Sequence, residues 1–135
     1  MATIKRFEDL KTWQKARILA QEIFLLYSTG NFAKDFPLKD QINGSTRSVM
    51  DNIAEGFGRM GNNEFINFLT FSHGSALECK SQLYRAYDRN YVQKEKLDSI
   101  FSLIDETTNM INALKNYLGK SDFRGQKFKA REKKS

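Results

Sequence analysis

Apolar and small residues recur along most of this chain in alternating steps of three and four, the spacing that gathers side chains on one face of an α-helix. The first run presents Trp13, Ala16, Ala20, Ile23 and Tyr27 and predicts a helix from Glu8 to Tyr27. The segment from Ser28 to Pro37 breaks it, with Gly30, Asn31 and the only proline supplying turn chemistry. A second run, Leu38, Ile42, Ser45, Val49, Asn52 and Gly56, predicts a helix from Leu38 to Phe57. The third carries Phe65, Leu69, Ser72, Ala76, Cys79, Leu83 and Ala86 and predicts a helix from Asn63 to Arg89, with Asn62 or Asn63 as its cap and Glu64 in its first turn. The fourth holds Leu97, Ile100, Ile104, Thr107, Ile111, Leu114 and Leu118, and Gly119 is expected to end it. Short connections between long amphipathic helices imply antiparallel neighbours. The expected fold is all-α: an up-and-down four-helix bundle over residues 1–119, followed by a basic tail over residues 120–135.

Some positions ask for more than a core. Asn52 falls on the second helix's apolar stripe, where a buried amide is expected to bridge to a neighbouring backbone. Ser72, Gly74, Ser75 and Ala76 are small enough together to let a neighbouring helix approach the third closely. On the first helix, Ile18 and Leu25 lie about 180° from the core stripe at 100° per residue, among Lys11, Lys15 and Glu22. Two aliphatics on a polar face suggest a second contact beyond the core, although exposed aliphatics are also common on surfaces. Leu103, Met110 and Tyr117, at seven-residue spacing on the fourth helix, are either extra core or more of the same surface.

Composition narrows the class. One proline, 8 glycines and 40% hydrophobic residues in 135 residues argue for one globular domain and against disorder or a β-rich fold. A single cysteine and a single histidine cannot build a disulfide or a soft-ligand zinc site, so no metal or cofactor is expected, and a reduced cytoplasmic setting is the default. No signal-peptide pattern and no run of ~18 apolar residues appears, so neither export nor a membrane span is expected.

The titratable residues form no recognisable catalytic arrangement along the sequence. Gly56-Phe57-Gly58-Arg59-Met60-Gly61 fits the G-x-G-x-x-G pattern, but that pattern grips a pyrophosphate only between a strand and a helix, and here the preceding run has helical period. Gly58 is thus expected to matter for stability and not for nucleotide affinity. A di-iron bundle needs two inward Glu-x-x-His pairs, whereas the only histidine, His73, has Thr70 three residues before it. Cys79 sits in an apolar seam as a structural thiol, and Asp51, Glu55, Asp105 and Glu106 read as a solvated face. The chain is not expected to be an enzyme.

Beyond this reading, the segments NIAEGFGR (52–59), EFINFL (64–69), GSALE (74–78) and SQLYRAYDRNYV (81–92) resemble the four-helix-bundle proteins encoded by intervening sequences in 23S ribosomal RNA genes, a family that also takes in the accessory variability determinant proteins of diversity-generating retroelements. Phe7-Glu8-Asp9-Leu10 with Trp13 and Ala16, and Ser121-Asp122-Phe123-Arg124-Gly125 with Lys127-Phe128-Lys129, extend the likeness almost end to end. The resemblance implies a homopentamer, which makes Ile18 and Leu25 the expected oligomer interface, together with no catalytic activity and a nucleic-acid-associated role. Where many members read QLRRA or QIRRA, this chain has Gln41-Ile42-Asn43-Gly44-Ser45, so a pair of arginines is missing and a helix-weakening glycine stands in its place.

Charge supplies the last clue. The formal net charge is +6, and residues 120–135 alone hold seven basic against two acidic groups, leaving the bundle close to neutral. Lys120, Arg124, Lys127, Lys129, Arg131, Lys133 and Lys134, interrupted by Phe123 and Phe128, form a segment able to meet phosphates and stack on bases. Arg47, Arg59 and Lys115 are the candidates on the bundle itself, with Arg59 placed to join the third helix's N-terminal amides at an anion. RNA or DNA is therefore the partner expected first. The alternative is an oligomeric scaffold for a partner protein such as a reverse transcriptase, and genomic position separates the two.

Overall fold

The computed structural model describes residues 4–120 of the chain. Four helices, α1 (Lys11–Tyr27), α2 (Phe36–Phe57), α3 (Asn62–Asp88) and α4 (Lys94–Lys120), with single 3₁₀ turns at Phe7–Asp9 and Phe32–Lys34, account for all the regular structure among the described residues. Each helix packs on its neighbour in sequence and α4 closes against α1, which is the expected four-helix bundle. The four helices fall where the periodicity places them, and the boundaries shift for local reasons. Leu10, extended at φ −74° and ψ 122°, separates the Phe7–Asp9 turn from α1, so the helix starts at Lys11 and not at Glu8. Asp35 caps α2 by accepting the Leu38 amide at 3.3 Å, and Pro37 stands in the first turn, where its missing N–H has no partner to lose. Gly61 at φ +92° precedes α3, so Asn62 is the first helical residue and not a cap. Gly119 does not stop α4, which runs through Lys120.

Every predicted stripe position of α3 is buried, from Phe65 to Ala86, and those of α4 are buried except half-buried Leu114. On α1 the stripe is turned slightly from its expected phase. Leu19 is wholly buried and Ala20 only half so, because the rotation brings the larger side chain to the axis and leaves Trp13 on the flank, where its ring meets Phe7 edge-on at 5.1 Å. Ile18 and Leu25 stay outside, at 50% and 52% exposure.

The tightest seam is between α2 and α3. Ser72 Oγ donates to the Val49 carbonyl at 2.8 Å, bringing a side chain of one helix onto the other's backbone, and Ser75 Oγ lies 2.7 Å from Ser48 Oγ. At the end of this seam, a Cβ on Gly56 would stand 2.7 Å from Phe68 Cβ and 2.9 Å from Phe65 Cδ1. Of the expected small cluster, Ser72, Ser75 and Ala76 take part, whereas Gly74 faces solvent with nothing within 4 Å. Asn52 also departs from expectation: half-buried, it donates to Ser48 O at 2.8 Å and Ser48 Oγ at 2.9 Å within its own helix, because Ile53 takes the inward position. The amide that crosses the bundle is Asn62, whose Nδ2 donates to the Leu118 carbonyl at 3.1 Å and satisfies one of α4's terminal acceptors.

At the opposite end, Asp35 ties three elements together. Its carboxylate accepts the Tyr91 hydroxyl and pairs with Arg89, both at 2.8 Å, while Tyr91 stacks on buried Phe32 with ring centroids 5.2 Å apart. The Tyr91 hydrogen bond, then the Leu38 amide and the Arg89 charge, hold the Asp35 carboxyl below its usual 3.8 against the opposing effect of burial. A carboxyl whose folded pKa is depressed contributes stability that is complete above its unfolded pKa and is lost as pH falls through the folded value.

Two outcomes follow from these contacts in chemical unfolding. Gly56→Ala should destabilise by about 1–2 kcal/mol, the steric clash outweighing the helix propensity that alanine adds. Gly58→Ala, at φ −77° with a Cβ only in ordinary contact 3.5 Å from Glu55 O, should be neutral or stabilising by up to ~1 kcal/mol, so sensitivity in the glycine run lies at Gly56 and not at Gly58. Asp35→Asn should lower stability at neutral pH and flatten its decline below about pH 4; a decline parallel to that of the wild type would contradict the role of this carboxylate.

Candidate nucleic-acid interface

The sequence-predicted basic residues occupy two places on the bundle. Arg59 follows the Gly58 C-cap of α2, while Lys115 and Lys120 lie on the last turns of α4. The Asn62 to Leu118 hydrogen bond brings these termini to the same end. Arg59 is engaged there, its guanidinium 2.8 Å from Glu55 and 4.9 Å over the Phe68 ring. Arg47 stands apart. It lies twelve residues before Arg59, about 18 Å along the axis at 1.5 Å per residue, exposed on the outer face of α2. Arg124, Lys127, Lys129, Arg131, Lys133 and Lys134 fall outside the described residues.

Arg47 belongs instead to a groove between α1 and α2. Arg17, Ala20, Gln21, Phe24 and Tyr27 form one wall and Asn43, Thr46, Arg47 and Met50 the other, enclosing about 460 Å³ open to solvent. Both walls follow the i, i+3, i+4, i+7 rows of a helix, so the groove is the flank of each apolar stripe where long side chains diverge. Tyr27 donates its hydroxyl to Asn43 Oδ1 at 3.0 Å across one end, and Phe24 meets Tyr27 nearly perpendicularly at 5.6 Å while remaining 48% exposed. Arg17 lies over the Trp13 ring, 5.8 Å from its centroid. Burial, and then the charge of Asp40, raise the Tyr27 pKa, so its hydroxyl keeps the proton it donates to Asn43.

Arg17 and Phe24 were absent from the sequence-derived candidates. A signal existed: on α1 they sit at i and i+7 with Gln21 between, on the flank of a stripe that also carries Trp13. Recognising it requires knowing which flank faces α2, and a helical wheel of α1 alone does not provide that.

Nucleophilic groups contribute packing. Cys79 is fully buried and desolvation pushes its thiol up to about 12, the opposite of an activated thiolate. Among the described residues no cluster of His, Cys, Asp or Glu could hold a metal ion, and no helix is long and apolar enough to cross a membrane.

The chain matches the family described as 23S rRNA-intervening sequence protein over residues 8–113. It is also similar to a solved structure from Bacteroides thetaiotaomicron, a protein with unknown function from the S23 ribosomal protein family, at 24% identity and a TM-score of 0.71, covering 78% of this chain and 95% of that one. At that identity the likeness concerns the fold. No curated protein matches the chain.

Proposed function

The chain belongs to the 23S rRNA-intervening sequence protein family, and we propose that it is a non-enzymatic binding module that associates with RNA or DNA as a homo-oligomer. The observation that carries this reading is the distribution of charge: a nearly neutral bundle bears, over residues 120–135, seven basic groups and two phenylalanines. Such a segment meets phosphates through its cations and bases through its rings. Assembly is supported by Ile18 and Leu25, half-exposed aliphatics on the face of α1 turned away from the core. The homopentamer that the resemblance implies, and the link to retroelement accessory proteins, belong to the same proposal. Five copies of the basic segment in one ring would raise avidity without any new contact.

A second reading, a scaffold for a partner protein, draws on further exposed apolar side chains, among them Phe71, Leu77 and Tyr84 on α3. It predicts no affinity for polynucleotides.

Full-length protein titrated with labelled RNA or DNA across a salt series tests the first reading. If about four to six basic groups of the tail neutralise phosphates, log affinity should fall against log salt with a slope near −3 to −5. Deleting residues 121–135 leaves α4 whole and should remove most of the binding with helix content and oligomer mass unchanged. Ile18→Asp with Leu25→Lys should lower the mass measured by light scattering while preserving the helical circular dichroism. Binding that survives the deletion with an unchanged slope would contradict the tail's role, a wild type monomeric at about tens of micromolar would contradict the assembly, and no binding at low salt would favour the scaffold.

A further inference from the structure

We propose that the α1–α2 groove takes one nucleotide unit of a single-stranded polynucleotide, with Arg17 and Arg47 meeting phosphate and Phe24 meeting the base. This rests on the nucleic-acid reading above and narrows it, placing a second contact on the folded bundle and selecting single strands over duplex.

The first argument is the pattern of charge pairing. Six arginines lie among the described residues. Four are committed: Arg6 to Asp9 at 3.7 Å, Arg59 to Glu55 at 2.8 Å, Arg89 to Asp35 at 2.8 Å and Arg85 to Gln41 at 2.6 Å. Arg17 and Arg47 have no carboxylate or amide partner among the described residues, and these two line the same groove. No acidic side chain lines it with them. A guanidinium presents a planar fork of donors suited to phosphate oxygens, and two of them facing a cleft without a carboxylate leave positive charge uncompensated until an anion binds.

The second argument is the ring. Phe24 is half-exposed, yet its pose is set by perpendicular contact with Tyr27, itself anchored to Asn43. An aromatic side chain fixed in orientation and open to solvent offers a stacking surface at low entropic cost. The Tyr27–Asn43 bond also levels the two helices. Counting back three residues from Tyr27 and forward four from Asn43 in antiparallel helices brings Phe24 and Arg47 to about the same height, while Arg17 lies two turns away, about 10 Å along the axis. The groove thus offers a ring and a cation side by side, with a second cation further along the run of the backbone. Trp13 beneath Arg17 restrains that guanidinium and reduces the freedom it loses on binding.

The third argument is selectivity. In a duplex the base faces are stacked on one another and unavailable, so a site built on one ring face needs an unpaired base. Apolar Ala20 and Met50 on the groove's walls favour a base over a hydrated ion.

The test uses the full-length chain and fluorescence anisotropy with short labelled oligouridylate, oligothymidylate and a duplex of equal length. Arg17→Gln with Arg47→Gln should weaken single-strand binding at least tenfold at low salt and make the salt slope shallower by about 1.4–1.8, the share of two phosphate contacts. Lys11→Gln with Lys34→Gln, an equal loss of charge at exposed positions away from the groove, should leave affinity within about twofold. Phe24→Ala should weaken single-strand binding about 5- to 100-fold with an unchanged slope, and Phe24→Tyr should restore it. All of these positions are exposed, and circular dichroism verifies that each variant is folded. An effect on either strand supports the groove and identifies the sugar it takes. Wild-type affinity and slope in the double arginine variant, or equal loss of duplex and single-strand binding in Phe24→Ala, would overturn the groove site while leaving the tail as the binding element. Absence of binding by the wild type to any of the three probes would overturn the nucleic-acid reading itself.

Discussion

The close approach of α2 to α3 is the constraint on which the rest of the molecule depends. Ser72 can reach a main-chain carbonyl of α2 only because both helices present small residues along this seam, and Gly56 lets Phe65 and Phe68 lie against the α2 backbone. With Ser72 and Ser75 both engaged on α2, the register of the pair is set by directional bonds as well as by shape. The long apolar side chains, Leu19, Ile23, Ile42, Ile53, Leu69, Leu83, Ile100, Ile104 and Ile111, then fill the space on the other side, where α1 and α4 complete the bundle. The α1–α2 seam lacks this small-residue run. Its flanks end in Arg17, Gln21, Phe24, Arg47 and Met50, and a groove opens between them.

Polar contacts close both ends. At one, the Asp35 carboxylate gathers the α2 amide, the Arg89 side chain and the Tyr91 hydroxyl, so that the α3–α4 connection is pinned to the start of α2. At the other, Asn62 spans from the start of α3 to the last turn of α4. By contrast, Lys15–Glu106 and Lys96–Glu22 join α1 to α4 on the surface at 3.4 and 3.0 Å, where screening leaves an ion pair worth little. Directional polar contacts thus fix the two ends of the bundle, while the α1–α4 surface carries only screened ion pairs.

How much of this was legible in the sequence depended on which quantity decided each feature. Periodicity decides which residues face a core, so the stripe from Phe65 to Ala86 reads correctly from spacing alone. The phase of α1 does not, because Leu19 and Ala20, about 100° apart on the wheel, flank the stripe centre on opposite sides and the choice between them is made by the helices opposite. Caps turned on single dihedrals: Gly61, and not Asn62, holds the positive φ before α3, and Gly119 is simply helical. The amide that crosses the bundle is Asn62 and not the expected Asn52, since the sequence marks an amide near a stripe without saying whether a closer acceptor, here Ser48, captures it. The exposure of Ile18 and Leu25 was readable, the α1–α2 groove was not, and the tail's candidates after Lys120 lie outside the described residues.

The central claim is that a stable α2–α3 scaffold carries polynucleotide recognition on its α1–α2 flank and its basic C-terminal segment. Hydrogen exchange of the full-length protein, followed by peptide mass with and without a saturating single-stranded oligonucleotide, tests it most directly. The account predicts added protection in peptides covering residues 13–27, 43–50 and 120–135, with the α2–α3 seam around Val49, Ile53, Leu69 and Ser72 already slow and little altered outside the overlap at 43–50. Protection concentrated on the outer face of α3, or none anywhere under conditions where the strand is bound, would contradict it.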